Sequence, residues 1–90
     1  MNRAWKKYPD MVLNVGRDWT LDLEGATIVG LPQVTTIGGV DCVNAGQDGS
    51  LTKFRLSGGS AGTAASVHIL IETSAGEKLS DTIPVRVIAP

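Results

Sequence analysis

Aromatic residues make up only 4% of this 90-residue sequence. With so few rings the chain has little from which to build the stacking platform of a sugar-binding module, and its core must be filled mainly by Val, Ile and Leu. A single cysteine, Cys42, rules out an intrachain disulfide. Cys42 and the lone histidine, His68, fall in different strand patterns and offer too few ligands for zinc. No apolar run approaches the roughly 20 residues of a membrane-spanning helix. The basic residues near the N-terminus are followed by no apolar stretch, so no signal peptide is read and synthesis in the cytoplasm is expected. Charge of one sign is missing too. Eight basic and nine acidic residues give a net charge of −1, a poor match to counterion-release binding of nucleic acid.

What is present is strand grammar. Apolar residues recur at every second position in Val67, Ile69 and Ile71, and again in Ile83, Val85 and Val87, the period of half-buried antiparallel strands. Between these runs Gly76 suits the left-handed position of a short hairpin. Residues 50–57 alternate in the same way, with Phe54 and Leu56 inward and Lys53 and Arg55 outward. Earlier, Met11, Leu13 and Val15 form a strand pattern, and Trp19, Leu21 and Leu23 continue as one face of a second. Gly16 between them reads as a bulge or a switch between sheets. Residues 26–31 form another strand, which Pro32 ends. Residues 33–37 and 40–45 are two more, with the Asp48-Gly49 pair at the centre of a hairpin turn. Turn signals every 8–12 residues or so are the spacing of a sandwich. No helix is expected.

The fold class is therefore all-β: an immunoglobulin-like antiparallel β-sandwich of about seven short strands in one domain, residues 11–90. Residues 1–10 lack periodicity and read as an extended N-terminal arm. Its cations Arg3, Lys6 and Lys7 are expected to be solvated, and Trp5 and Tyr8 are apolar enough to dock on the parent domain or on a neighbour.

Candidate chemistry is thin. His68 alternates with core positions and is expected to face solvent, without a partner at triad-like spacing. Asp18, Asp22 and Glu24 lack the ligand alternation of a calcium loop. Residues 58–63 (GGSAGT) are rich in glycine, but a strand rather than a helix follows and no lysine closes a phosphate loop. Trp19 reads as a core plug, and Cys42 as a buried inert thiol. An enzyme is not expected, and neither metal nor cofactor is expected.

The ordered set Lys7 and Pro9, Asp18-Trp19, Thr27-Ile28, Leu56-Ser57-Gly58-Gly59 with Gly62-Thr63, and Thr73-Ser74-Ala75-Gly76 resembles the small immunoglobulin-like virion proteins of tailed bacteriophages, the phage fibre-tail adaptor-like proteins. The resemblance runs from about Lys7 to Val87. It implies a non-enzymatic structural protein of the virion, joining tail or neck and fibre components by protein–protein contact. Its implied partners are other virion structural proteins, with the chain a homo-oligomer in the particle, and neither nucleic acid nor membrane is among them. Two alternatives stand beside it, a capsid decoration protein contacting the major capsid protein, and a host-surface or glycan-binding module. The expected partner-binding residues are Trp5 and Tyr8 on the arm, Gly58, Gly59 and Ser60 in one loop, and Ser74, Gly76 and Lys78 in another. The arm is expected to be dispensable for folding, so that removal of residues 1–8 abolishes incorporation alone.

Overall fold

The computed structural model describes residues 4–89. In chain order they form β1 (Trp5–Lys7), β2 (Leu13–Asp18), α1 (Thr20–Leu23), β3 (Ile28–Ile37), β4 (Val40–Asp48), β5 (Leu51–Gly58), β6 (Ala64–Thr73) and β7 (Lys78–Val87). One sheet has the order β1-β7-β6-β3 and the other β2-β5-β4. The all-β sandwich expected from the alternation is what forms. The β1–β7 pair is parallel, and the remaining pairs are antiparallel.

The core is one apolar layer between the sheets. Val67, Ile69 and Ile71 of β6 and Ile83, Val85 and Val87 of β7 face Val40 and Cys42 of β4 and Phe54 and Leu56 of β5. Each fully buried branched side chain contributes about 1.5–3 kcal/mol relative to exposure, so this layer dominates the stability of so small a domain. β6 and β7 occupy the residues that their alternation predicts. The turn between them places Gly76 at φ 81° and donates Gly76 N–H to the Thr73 carbonyl at 3.0 Å.

Five local expectations are corrected. Gly16 is neither a bulge nor a sheet switch, because β2 pairs with β5 in unbroken register from Leu13↔Leu56 to Asp18↔Leu51. Glycine is there for room: a Cβ would lie 3.1 Å from Leu51 Cδ1 and 3.3 Å from the Thr52 carbonyl oxygen. Trp19, Leu21 and Leu23 do not share a strand face. Residues 20–23 make a single helical turn in which Trp19 and Leu23, four apart, are buried while Leu21 is 91% exposed. Glu24, at φ 49°, ends that turn in the left-handed conformation.

Pro32 does not end its strand either. β3 continues through it, because Gly30, Leu31 and Pro32 bulge opposite Ile71 alone, where the missing N–H costs no ladder bond. The Asp48-Gly49 turn is shifted by one residue. Asp48 pairs with Leu51, so Gly49 and Ser50 are central, and a bulge between Asn44 and Gly46 carries β4 on to Asp48. Finally, part of the expected arm belongs to the sheet: Trp5, Lys6 and Lys7 pair with Val85, Arg86 and Val87. Met1 and Arg3 lie outside the described residues.

The chain changes sheets between β3 and β4 through Gly38-Gly39. Gly38 has φ 95°, and a Cβ there would meet Ala65 Cα at 2.7 Å. Gly49 has φ 61° with open space around it. Gly38→Ala is therefore expected to destabilise the domain by more than about 2 kcal/mol, through backbone strain plus overlap. Gly49→Ala is expected to cost only roughly 1–2 kcal/mol, through the left-handed φ alone. Urea unfolding midpoints of the two variants check the order.

Candidate functional site

The expected partner-binding residues fall into two groups at opposite ends of the sandwich. The molecule measures 43 × 24 × 17 Å, and the ten-residue β6 separates the loops at its two ends by about 30 Å. They do not form one site.

At the first end, β1 delivers Lys7 into the interior rather than to solvent. Lys7 is 1% exposed, and its Nζ donates to the carbonyls of Tyr8 at 2.7 Å, Pro9 at 3.2 Å and Gly58 at 2.6 Å. Three donors meet three acceptors, which satisfies an ammonium that burial would otherwise penalise. Because Lys7 stands on one sheet and Gly58 ends a strand of the other, this cap ties the sheets together. It also fixes the backbone beside Tyr8, a residue that remains 41% exposed and whose N–H donates to the Met11 sulfur at 3.3 Å. The C-terminal segment joins the same cluster, since Ile88 N–H donates to the Lys7 carbonyl at 2.9 Å.

Gly58 and Gly59 have φ of 76° and 95°. A Cβ at Gly59 would sit 2.7 Å from Val87 Cγ2 and 3.0 Å from Val40 Cγ1, so this glycine lets the loop close tightly over the core. Ser60 is exposed beyond it. Trp5 is only half-buried and packs on the core, so it is a component of the sheet rather than a free anchor.

At the second end, Ser74 is fastened to the start of β3. Its Oγ accepts from Thr27 N–H at 3.0 Å, and its own N–H donates to the Thr27 carbonyl at 2.8 Å. Thr73 is buried, and its Oγ1 accepts from Glu77 N–H at 3.2 Å. The tip is thus pre-set, with Gly76 and Lys78 exposed on it. Lys78 faces Glu72 at 4.0 Å, a loose surface pair of little energetic weight.

Two further features escaped sequence reasoning. Arg17 of β2 reaches across to β7, donating from Nε to Asp81 Oδ2 at 2.7 Å and pairing with Asp22 at 3.1 Å, with its guanidinium 4.2 Å from the Trp19 ring centre. Burial opposes the charge, but the bonds to Asp81 and Asp22 hold the Arg17 pKa above its ordinary value. The signal was there to be seen: Arg17 continues the inward positions of Leu13 and Val15, and Asp81 lies between inward Leu79 and Ile83. The buried Lys7 left no such trace. Beneath Arg17, Trp19 is 1% exposed and donates from Nε1 to Thr52 Oγ1 at 3.0 Å, which makes it the expected core plug. Asp18, just before it, accepts from the Thr20 hydroxyl and amide, and both bonds hold its carboxyl below the usual range.

His68 faces outward, with Nδ1 2.9 Å from Thr82 Oγ1 on the neighbouring strand. Among the described residues no cluster of three His, Cys, Asp or Glu side chains could hold a metal ion, and no helix is long and apolar enough to cross a membrane. The Cys42 thiol is pushed up to about 11 by burial, so at neutral pH it stays protonated and unreactive.

Two measurements check this end-to-end wiring. Lys7→Ala is expected to destabilise the fold by about 2–4 kcal/mol in denaturant unfolding, because three carbonyls lose their donor and the sheets lose a tie. At pH 8 the native Cys42 thiol is expected to react with an aromatic disulfide reagent at least about a hundredfold more slowly than in urea, since both thiolate formation and access are suppressed.

Compared with known proteins, residues 7–86 match a family model described as Podophage GP4 fiber-tail adaptor protein gp77. No curated protein and no solved structure matches the chain. The matched span begins at the buried Lys7 and ends within β7, so it takes in both sheets and both ends.

Proposed function

The chain belongs to the podophage GP4 fiber-tail adaptor protein gp77 family, and on that premise we propose that it joins two virion components through its opposite ends, by contact alone and without catalysis. The family gives it a structural role in the phage tail. The observation that carries the joining role is bipolarity. Tyr8 and the loop at residues 58–60 stand at one end of a 43 Å body, and Ser74, Gly76 and Lys78 at the other.

The ends expose different sets of groups, which is what supports contacts to two different partners. The first is apolar: Tyr8, Met11, Val12 and Ile88 are all exposed there. The second carries a hairpin tip held by Thr73 and Ser74 and bearing Lys78, with Leu21 and Val29 exposed at the same end. Rigid loops lose little conformational entropy when they dock, so modest patches suffice. Repetition of the chain around the tail as a homo-oligomer adds avidity to each weak contact.

The expected dispensability of residues 1–8 is revised by the fold. Their removal takes away β1 and the Lys7 cap, so it disrupts the domain as well as any contact. Point substitutions separate the two effects. Tyr8→Ala and Lys78→Glu are each expected to lower incorporation into particles at least tenfold while leaving the melting temperature of the free domain unchanged.

Quantitative mass spectrometry of purified virions supplies the primary test. A copy number far below that of the major capsid protein, at a small multiple of the tail symmetry, is expected. A count equal to the capsid protein would make the chain a head decoration protein, and absence from particles would end both readings. Glycan binding that survives Tyr8→Ala would redirect the reading to adsorption.

A further inference from the structure

The sandwich has guarded and unguarded edges. The open side of β3 is interrupted by the bulge at Gly30, Leu31 and Pro32, and that of β4 by the bulge between Asn44 and Gly46. The edge of β7 is covered by β1 only along Val85–Val87; its uncovered stretch, Lys78–Ile83, is flanked by Lys78 at one end and Pro84 at the other. β2 carries none of these guards. It runs from Leu13 to Asp18 without bulge, proline or lysine, and no described strand pairs with its outer side. Its inward charge, Arg17, is neutralised by Asp81 and so does not repel a partner strand. A regular, uncovered edge offers its N–H and C=O groups to an added strand.

The face beside this edge selects the chemistry of that strand. Across the outer surface of the three-stranded sheet, Lys53 on β5 has Gly16 on β2 as one cross-strand neighbour and Gly46 on β4 as the other. Next to it, Arg55 lies between Asn14 and Val43. Lys53 and Arg55 are exposed, and no side-chain hydrogen bond or ion pair holds either among the described residues. A shallow groove of about 440 Å³ opens here, lined by Asn14, Gly16, Leu51, Lys53 and Arg55 among others. Sheet strands lie about 4.8 Å apart, so a residue on an added strand opposite Gly16 sits about 10 Å from the Lys53 backbone. Gly16 contributes no side chain between them, and the Leu51 side chain, whose Cδ1 lies 3.1 Å from the Gly16 Cβ position, borders the path along which the ammonium meets a carboxylate.

We propose that the outer edge of β2 accepts an extended acidic segment of another virion protein as a fourth strand of this sheet, with a carboxylate opposite Gly16 held by Lys53 and Arg55. Backbone pairing supplies affinity, and the two cations, set against the exposed Asp18 carboxylate two residues along the same face of β2, fix the register in which a carboxylate lies opposite Gly16. This surface runs along the flank of the sandwich and is separate from its two ends. It shares with the joining role only the premise that the chain works by contact.

The test uses the full chain and three ten-residue peptides in which Thr alternates with Glu, Gln or Lys. Amide hydrogen exchange and chemical-shift titration read affinity and location. The Glu peptide is expected to bind and to slow exchange along residues 13–18. Lys53→Glu, on an exposed side chain, is expected to weaken that binding at least tenfold and to turn the preference towards the Lys peptide. Lys53→Met is expected to weaken it without the reversal. Absence of binding up to millimolar peptide, equal binding of all three peptides, or protection along β3 or β4 instead would overturn the proposal. Because the assay needs no particle, its failure is distinct from a failure of incorporation.

Discussion

The two sheets share a single apolar layer, and the polar interactions of the molecule close that layer at its borders. With few aromatics, the layer is built from branched aliphatics on β6 and β7 against Phe54 and Leu56. Such a layer stays dry only if the sheets are held in contact along their edges. The Lys7 ammonium does this at one place, by reaching from β1 to the Gly58 carbonyl of the other sheet. Arg17 does it at another, by reaching from β2 to Asp81 on β7. Both charges are satisfied by specific partners, the condition under which burying a charge is tolerable at all.

These ties also hold the backbone of the two proposed contact surfaces. Lys7 binds the backbone at Tyr8, Pro9 and Gly58, so the apolar end of the body is held by the same group that locks the sheets. Thr73 and Ser74 do the corresponding work at the opposite end, tying the hairpin tip to itself and to Thr27. An adaptor needs rigid ends on a rigid body, because each flexible residue ordered on docking subtracts from affinity. Here the rigidity comes from short side-chain to backbone bonds rather than from disulfides, with Cys42 buried and unpaired.

Legibility in the sequence varied with the range of the deciding contact. β6 and β7 were readable to the residue, because ten-residue alternation has only one register that buries Val67, Ile69, Ile71, Ile83, Val85 and Val87 together. The Trp19 plug was readable as a core residue, but its setting was not. A four-residue helical turn is too short for periodicity to declare, and Trp19 and Leu23 four apart look equally like alternate strand positions. Pro32 misled for a related reason. Its missing N–H ends a central strand, but β3 is an edge strand with a bulge, and edge status belongs to the sheet and not to the segment. Of the candidate contact residues, Gly58, Gly59, Ser60, Ser74, Gly76 and Lys78 could be assigned to turns by their glycines. That the two turns lie at opposite ends depended on the length and direction of β6.

The sequence by itself determined the all-β class, the inward faces of β5, β6 and β7, the glycine turns on either side of β6 and the family, since all of these are written in local periodicity and in an ordered set of short motifs. Only the tertiary structure decided that Lys7 is buried, that Arg17 meets Asp81, and which strand edges are left open. Those outcomes join positions 51 and 64 residues apart in the chain. Nothing in the local pattern of either partner fixes such a pairing. It follows from how two twisted sheets stack, and that is set by packing of the shared core.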